Sequence, residues 1–194
     1  MADTNTRTAL FVIDIQGELA HNPTTRIPHA DRVVRAGEKI LQSARRAIAE
    51  TSSSNEKRPS IIVFVQHEET DGKLLRGSED WQLVLPPQPG VETELLVAKT
   101  TRDTFESNPD LAQRLRDLGI GRIVAFGIQS ECCVLSTCRG ALTASFNVTL
   151  LRGAHSTYDV DGKTAVEIEH DVETELQEKG AHIRPWEDVI KSWE

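Results

Sequence analysis

Six short apolar runs, separated by stretches of helical period, restrict what this chain can fold into. They are ALFVIDI (9 to 15), IIVFVQ (61 to 66), ELLVA (94 to 98), RIVAFGI (122 to 128), NVTLL (147 to 151) and a weaker HIRP (182 to 185). Near-continuous apolar character without alternation marks strands covered on both faces. Between the runs, Val33, Val34, Gly37, Ile40, Leu41, Ala44 and Ile48 form one helical stripe, and Leu111, Leu115 and Leu118 form a shorter one that Gly119 ends. Val134, Cys138, Ala141 and Leu142 form a third stripe, and Ala165, Ile168, Val172 and Leu176 a fourth, stopped by Gly180. Strands alternating with helices predict a three-layer α/β/α fold around a central, mostly parallel six-stranded sheet, joined by right-handed crossovers.

Length adds a domain count. With 194 residues and no Pro- or Gly-rich linker in the middle, one domain spanning 1–194 is expected, large enough for a real core. A net charge of −8 argues against a nucleic-acid or anionic-membrane surface and leaves small molecules or copies of the chain itself as partners. Three cysteines, two of them adjacent, do not make a disulfide framework, and the opening MADTNTRTALFVIDIQ lacks the layout of a secretory signal. No apolar run approaches the roughly 18 residues of a membrane span, so a cytoplasmic protein is expected. TSSSNEKRP (51 to 59) reads as a polar loop, and the stretch from Glu68 to Glu92 has no clear period, as lids and binding loops often do not.

In a sheet of this kind ligands bind at the carboxyl ends of the strands, so the polar residues that close each apolar run carry the chemical information. Those residues are Asp14, His67, Lys99 and, after a turn, Cys133. Cys133 falls where a helix should begin, and a helix amino terminus favours a thiolate and offers N–H donors to an oxyanion. Asp14 and Lys99 are costly to bury unless each pairs with the other. Taken singly, the cysteine reads equally well as a small core residue and the two charges as a structural ion pair. Taken together they specify a nucleophile, a carboxylate to accept its proton and a cation to hold the cluster.

These residues, with their surroundings, resemble the isochorismatase-like cysteine hydrolases, a family that includes nicotinamidases and other amidases. The resemblance runs from ALFVIDIQ through LLVAKTTRDTF and GIQSECCV to GAHSTYDVDG and the final strand. It implies an isochorismatase-like, Rossmann-like fold, a catalytic set of Asp14, Lys99 and Cys133, and Cys132 excluded as nucleophile. It also implies a cis peptide bond between Ile128 and Gln129, an oxyanion hole at the backbone N–H groups of Gln129 and Cys133, and a homodimer or homotetramer. The implied reaction is hydrolysis of a small-molecule amide or ureide C–N bond through a thioester.

Departures from the family pattern narrow this reading. Nicotinamidases carry a metal-binding D-x-H segment after the second strand, where this chain reads VFVQHEETDG; His67 alone remains, so no metal and no other cofactor is expected. His67 then either lines the pocket or merely ends its strand. Trp81, within GSEDW, and Phe105 are expected at the pocket, with Ile128 and Ser130; Leu19 stands where relatives often have Phe, and Gln16 is expected to support the site from behind. His155 is placed either at the rim of the site or in helix packing or a subunit interface, and His170 and Asp171 are read as packing or interface residues. Isochorismate cleavage is the alternative reaction, although protonating an enol ether carbon needs no thiol. A catalytically weak interaction module and a redox sensor built on Cys132, Cys133 and Cys138 are alternatives of another class.

Overall fold

A computed structural model describes residues 6–50 and 57–194. Strand β1 (Arg7–Ile13) lies inside the sheet and is buried at every position after Arg7. The sheet order is β3 (Glu94–Lys99), β2 (Pro59–His67), β1, β4 (Ile120–Ile128), β5 (Asn147–Ser156) and β6 (His182–Pro185), and every neighbouring pair is parallel. Because successive side chains of a strand point to opposite faces, β1 serves two cores at once. Ala9, Phe11 and Ile13 join Leu111 and Leu115 of α4 (Leu111–Asp117), Cys138 and Ala141 of α5 (Leu135–Thr143) and Val172 of α6 (Ala165–Glu178). Leu10 and Val12 join Val33, Ile40 and Ala44 of α2 (Ala30–Ala49) and the buried Trp193 that follows α7 (Trp186–Lys191). The remaining helices, α1 (Gly17–Ala20) and α3 (Thr104–Ser107), are single turns just after β1 and β3.

Doubly covered strands and amphipathic helices thus form the expected three layers, and the sheet is parallel throughout. Boundaries differ where local chemistry intervenes. β1 stops at Ile13, two residues short of the apolar run, because Asp14 turns into the left-handed region at φ 48°. β5 continues to Ser156, five residues past its apolar run, through the polar Arg152, His155 and Ser156. Leu118, expected in the buried stripe of α4, lies beyond the helix end and is 42% exposed. Residues 51–56 of the expected polar loop lie outside the described residues, as do residues 1–5.

The order 3-2-1-4-5-6 places a topological switch between β1 and β4, and in such sheets the crevice beyond the carboxyl ends at that switch is the ligand site. Gly127 keeps the two strands in contact there. It pairs with Ile13 at φ 144°, and a Cβ on it would stand 2.0 Å from the Ile13 carbonyl oxygen. We expect Gly127→Ala to destabilise the fold by about 2 kcal/mol or more, as strained, overpacked core positions do. A urea unfolding midpoint within error of the wild type would contradict that expectation.

Candidate active site

Four strand ends deliver the four polar residues to one crevice. Asp14 follows β1; its positive φ, which aspartate tolerates better than most side chains, breaks the strand at that point. His67 and Lys99 are the last residues of β2 and β3 and are direct partners in the parallel register. After β4 the peptide between Ile128 and Gln129 is cis, and the chain enters a π-helical turn, Ser130–Val134, that runs into α5 and carries Cys133. Gln16 ties these ends together: its Nε2 donates to the carbonyls of His67 at 2.9 Å and Trp81 at 2.8 Å, and its Oε1 accepts from the His67 N–H at 3.0 Å.

The Lys99 ammonium is the hub. Its Nζ lies 2.7 Å from Asp14 Oδ2, 3.2 Å from Cys133 Sγ and 3.1 Å from His67 Nδ1, and donates to the Thr101 carbonyl at 3.1 Å. Asp14, His67 and Cys133 present ligand atoms within 4.8 Å of one another, a spacing that would suit a cation; the ammonium stands among them and is that cation. The ammonium has three N–H groups to share among these four neighbours, and the His67 ring also faces the Thr101 carbonyl. Burial, reinforced by Lys99, holds the His67 pKa below its ordinary value, so the ring is neutral near pH 7.

Within the cluster the lysine and the thiol are both displaced from their ordinary titration ranges. Burial works against the Lys99 ammonium, but Asp14 and Cys133 together outweigh it and hold the lysine above its ordinary pKa. Burial first, and the Asp14 charge second, push the Cys133 thiol far up, with Lys99 pulling less strongly the other way. At rest the sulfur is therefore a thiol. This corrects the expectation of a thiolate stabilised by a helix amino terminus: the supporting backbone is a π turn, and desolvation beside a carboxylate dominates. Beyond the Lys99 contact, the Asp14 carboxylate faces the Cys133 thiol, where it can receive the thiol proton.

Above the cluster opens a cavity of about 610 Å³, lined by Asp14, His67 and Cys133 and by Leu19, Gln129 and Cys132. Other expected pocket residues lie elsewhere. Phe105 stacks on Phe11 at 6.1 Å and packs against Phe146, so it belongs to the core under the site. Ile128 is fully buried in the opposite core, and Ser130 is fully buried with its Oγ 2.8 Å from His155 Nδ1. Trp81 is not among the residues lining the cavity; its carbonyl is held by Gln16 and Gln66, and its indole Nε1 is buried. His155 is fully buried rather than at the rim, whereas His170 and Asp171 are exposed on α6, with Asp171 paired to Lys163.

Residues that sequence reasoning missed complete the wall. Glu18 is buried and ion-paired to Lys73 at 2.8 Å; Glu69, Arg102 and Tyr158 line the same space. Glu69 and Lys73 come from the stretch without periodicity, which is strapped to the residues after β1 by Gly17 N–H to the Gln82 carbonyl at 2.9 Å and Glu18 N–H to the Asp80 carbonyl at 2.9 Å. Among the described residues Tyr158 is the one Phe, Tyr or Trp in the lining, and Leu19 and Leu74 add apolar surface beside the charged Glu18, Glu69, Lys73 and Arg102.

Comparison with known proteins agrees with this geometry. The Isochorismatase domain family model matches residues 8–174. Two streptothricin hydrolases of Streptomyces noursei are 34% and 31% identical over 153 residues, each alignment covering 78% of this chain but 55% and 50% of the relative. The chain thus spans about half the length of those relatives. A cysteine hydrolase from Pseudomonas syringae pv. phaseolicola 1448A shares the fold with a TM-score of 0.80 at 20% identity, over 96% of this chain and 92% of that one. No helix among the described residues is long and apolar enough to cross a membrane.

Asp14→Asn removes the carboxylate that opposes ionisation of Cys133 and leaves the thiolate as the partner of Lys99, so the thiol pKa falls. Alkylation of Cys133 by iodoacetamide at pH 7 should then quicken by about tenfold or more, one pKa unit being worth a factor of ten in thiolate below the pKa. Unchanged or slower alkylation would show that Asp14 does not set the state of the sulfur.

Proposed function

The chain belongs to the isochorismatase family, and from that premise we propose that it is a cysteine hydrolase that cleaves a small-molecule amide-type C–N bond through a thioester. The observation that carries this reading is the lysine flanked by a carboxylate at 2.7 Å and a thiol at 3.2 Å. Asp14 takes the thiol proton, Sγ attacks the carbonyl carbon, and the backbone N–H groups of Gln129 and Cys133 receive the oxyanion. Asp14 then passes the proton to the leaving nitrogen and the C–N bond breaks. Water, deprotonated by the same carboxylate, attacks the thioester carbonyl and the acid leaves as the thiol is restored. Throughout, Lys99 offsets whichever neighbour carries the negative charge, and the neutral His67 lies beside it. Sulfur nucleophilicity is of no use in cleaving a vinyl ether, which needs protonation at carbon, so the thiol favours a C–N substrate over isochorismate.

The names of the two similar hydrolases add streptothricin, and amides like it, to the substrates to be tried, alongside primary amides, ureides and isochorismate. Release of amine or ammonia from one of the amides is expected, and Cys133→Ala should retain less than about a hundredth of it while unfolding as cooperatively as the wild type. Isochorismate as the one substrate turned over, or a Cys133→Ala variant of near-normal rate, would overturn the proposal. EDTA should leave the rate unchanged, because the position a metal would take between Asp14, His67 and Cys133 holds the Lys99 ammonium; inhibition by EDTA reversed by zinc would contradict this.

A further inference from the structure

The turn that carries Cys133 is gripped from the neighbouring strand by a line of buried polar groups. Ser130, the first residue of the turn, and His155, near the end of β5, are both fully buried, with Ser130 Oγ 2.8 Å from His155 Nδ1. The other ring nitrogen, Nε2, faces Oε1 of Glu173 on α6 at 3.4 Å. A carboxylate can only accept, so Nε2 bears a proton, and the hydroxyl of Ser130, which can donate or accept, is the partner of Nδ1. Glu173 is fixed in turn by Arg152, whose Nε donates to Oε2 at 2.8 Å, and the His155 backbone carbonyl accepts from Arg32 of α2 at 3.4 Å. One residue along, Thr157 Oγ1 donates to Glu131 Oε1 at 2.9 Å, so the first two residues of the turn are both held from the end of β5.

Neither Ser130 nor His155 reaches the cavity. A serine, a histidine and a carboxylate in line suggest a nucleophile in their order alone; sealed from solvent, this set cannot meet a substrate. What it can do is fix backbone. The π turn is of a wide, rarely used kind: the Gln129 carbonyl accepts from Cys132 at 3.2 Å and Val134 at 3.1 Å, and the Leu135 N–H donates to Ser130 and Cys132. Burying a histidine and a carboxylate where apolar side chains would pack costs stability, and the return on such groups is a single defined conformation.

We propose that Glu173, His155 and Ser130 form a positioning relay that holds the π turn, and through it sets Cys133 Sγ against Lys99 and Asp14. All three are positioning residues that act through the cysteine. The inference rests on reading Cys133 as the nucleophile, and its test is built on two independent readouts.

Ser130→Ala, His155→Leu, His155→Asn and Glu173→Gln would be compared with the wild type for amide hydrolysis and, separately, for the rate of iodoacetamide alkylation mapped to Cys133, at a temperature where circular dichroism shows each variant folded. Ser130→Ala and His155→Leu are expected to lower kcat by about tenfold or more with KM within about twofold, because a misplaced nucleophile loses reaction geometry while binding persists. Cys133 should be alkylated faster in the same variants, since a loosened turn relieves the burial that keeps the sulfur protonated. His155→Asn, which retains a hydrogen-bonding atom near the Nδ1 position, should recover much of the kcat lost in His155→Leu. Folded variants with wild-type kcat and wild-type alkylation would overturn the relay, as would a His155→Asn no better than His155→Leu. Should the interior substitutions fail to fold, Glu173→Gln decides, because it keeps the shape and drops the charge: wild-type values in both readouts count against the relay. Should the wild type hydrolyse no amide at all, the functional reading fails, and the alkylation rates still decide whether the relay sets the sulfur.

Discussion

A buried ammonium needs anions and acceptors around it, and the rest of this site follows from how that need is met. Lys99 has left water at the end of β3, and its partners come from three other strand ends: Asp14 after β1, His67 closing β2 and Cys133 beyond β4. A buried pair of opposite charges is held at net cost unless its geometry is good, and breaking it by removing one partner costs about 3–5 kcal/mol. Such an arrangement is a poor way to gain stability and an effective way to fix one carboxylate and one sulfur beside each other around a single cation. The three potential metal ligands Asp14, His67 and Cys133 come together around that same cation.

The sheet makes this convergence possible. With β1 between β2 and β4, the parallel order places all four ends on one edge, and the close approach of Gly127 to Ile13 keeps β1 and β4 together where the chain turns toward Cys133. Polar groups behind that edge then act on the sulfur at one remove. Gln16 binds the backbone of β2 and of the Trp81 loop, and Ser130 and His155 bind the cysteine turn to β5. The proton follows from the same geometry, resting on sulfur because burial, and then the neighbouring Asp14 charge, push the Cys133 thiol up.

Much of this was legible in the residues. Strands buried on both faces wrote themselves as continuous apolar runs, and the four polar residues closing those runs became the cluster around Lys99. The extension of β5 was not legible, since Arg152, His155 and Ser156 look like loop residues until their partners on α2, α6 and the cysteine turn are known. Phe105 was expected in the pocket and lies in the core because Phe11 and Phe146, distant in sequence, stack on it. The protonation of Cys133 was hidden for a related reason: it depends on desolvation and on a carboxylate about 120 positions away, neither of which a local helix signal records. Glu18, Glu69 and Tyr158 line the cavity from segments without periodicity, where no pattern marks a side chain as facing inward.

The central claim is that the Cys133 sulfur bonds to the acyl carbon of an amide. Acid quenching of the protein during turnover of a hydrolysed amide, followed by intact-mass measurement and peptide mapping, tests it most directly. The account expects an adduct with the mass of the acyl group on the peptide containing Cys133, absent from Cys133→Ala and released by hydroxylamine. Turnover at the same substrate concentration with no such adduct under any quench, or an adduct on another residue, would contradict it.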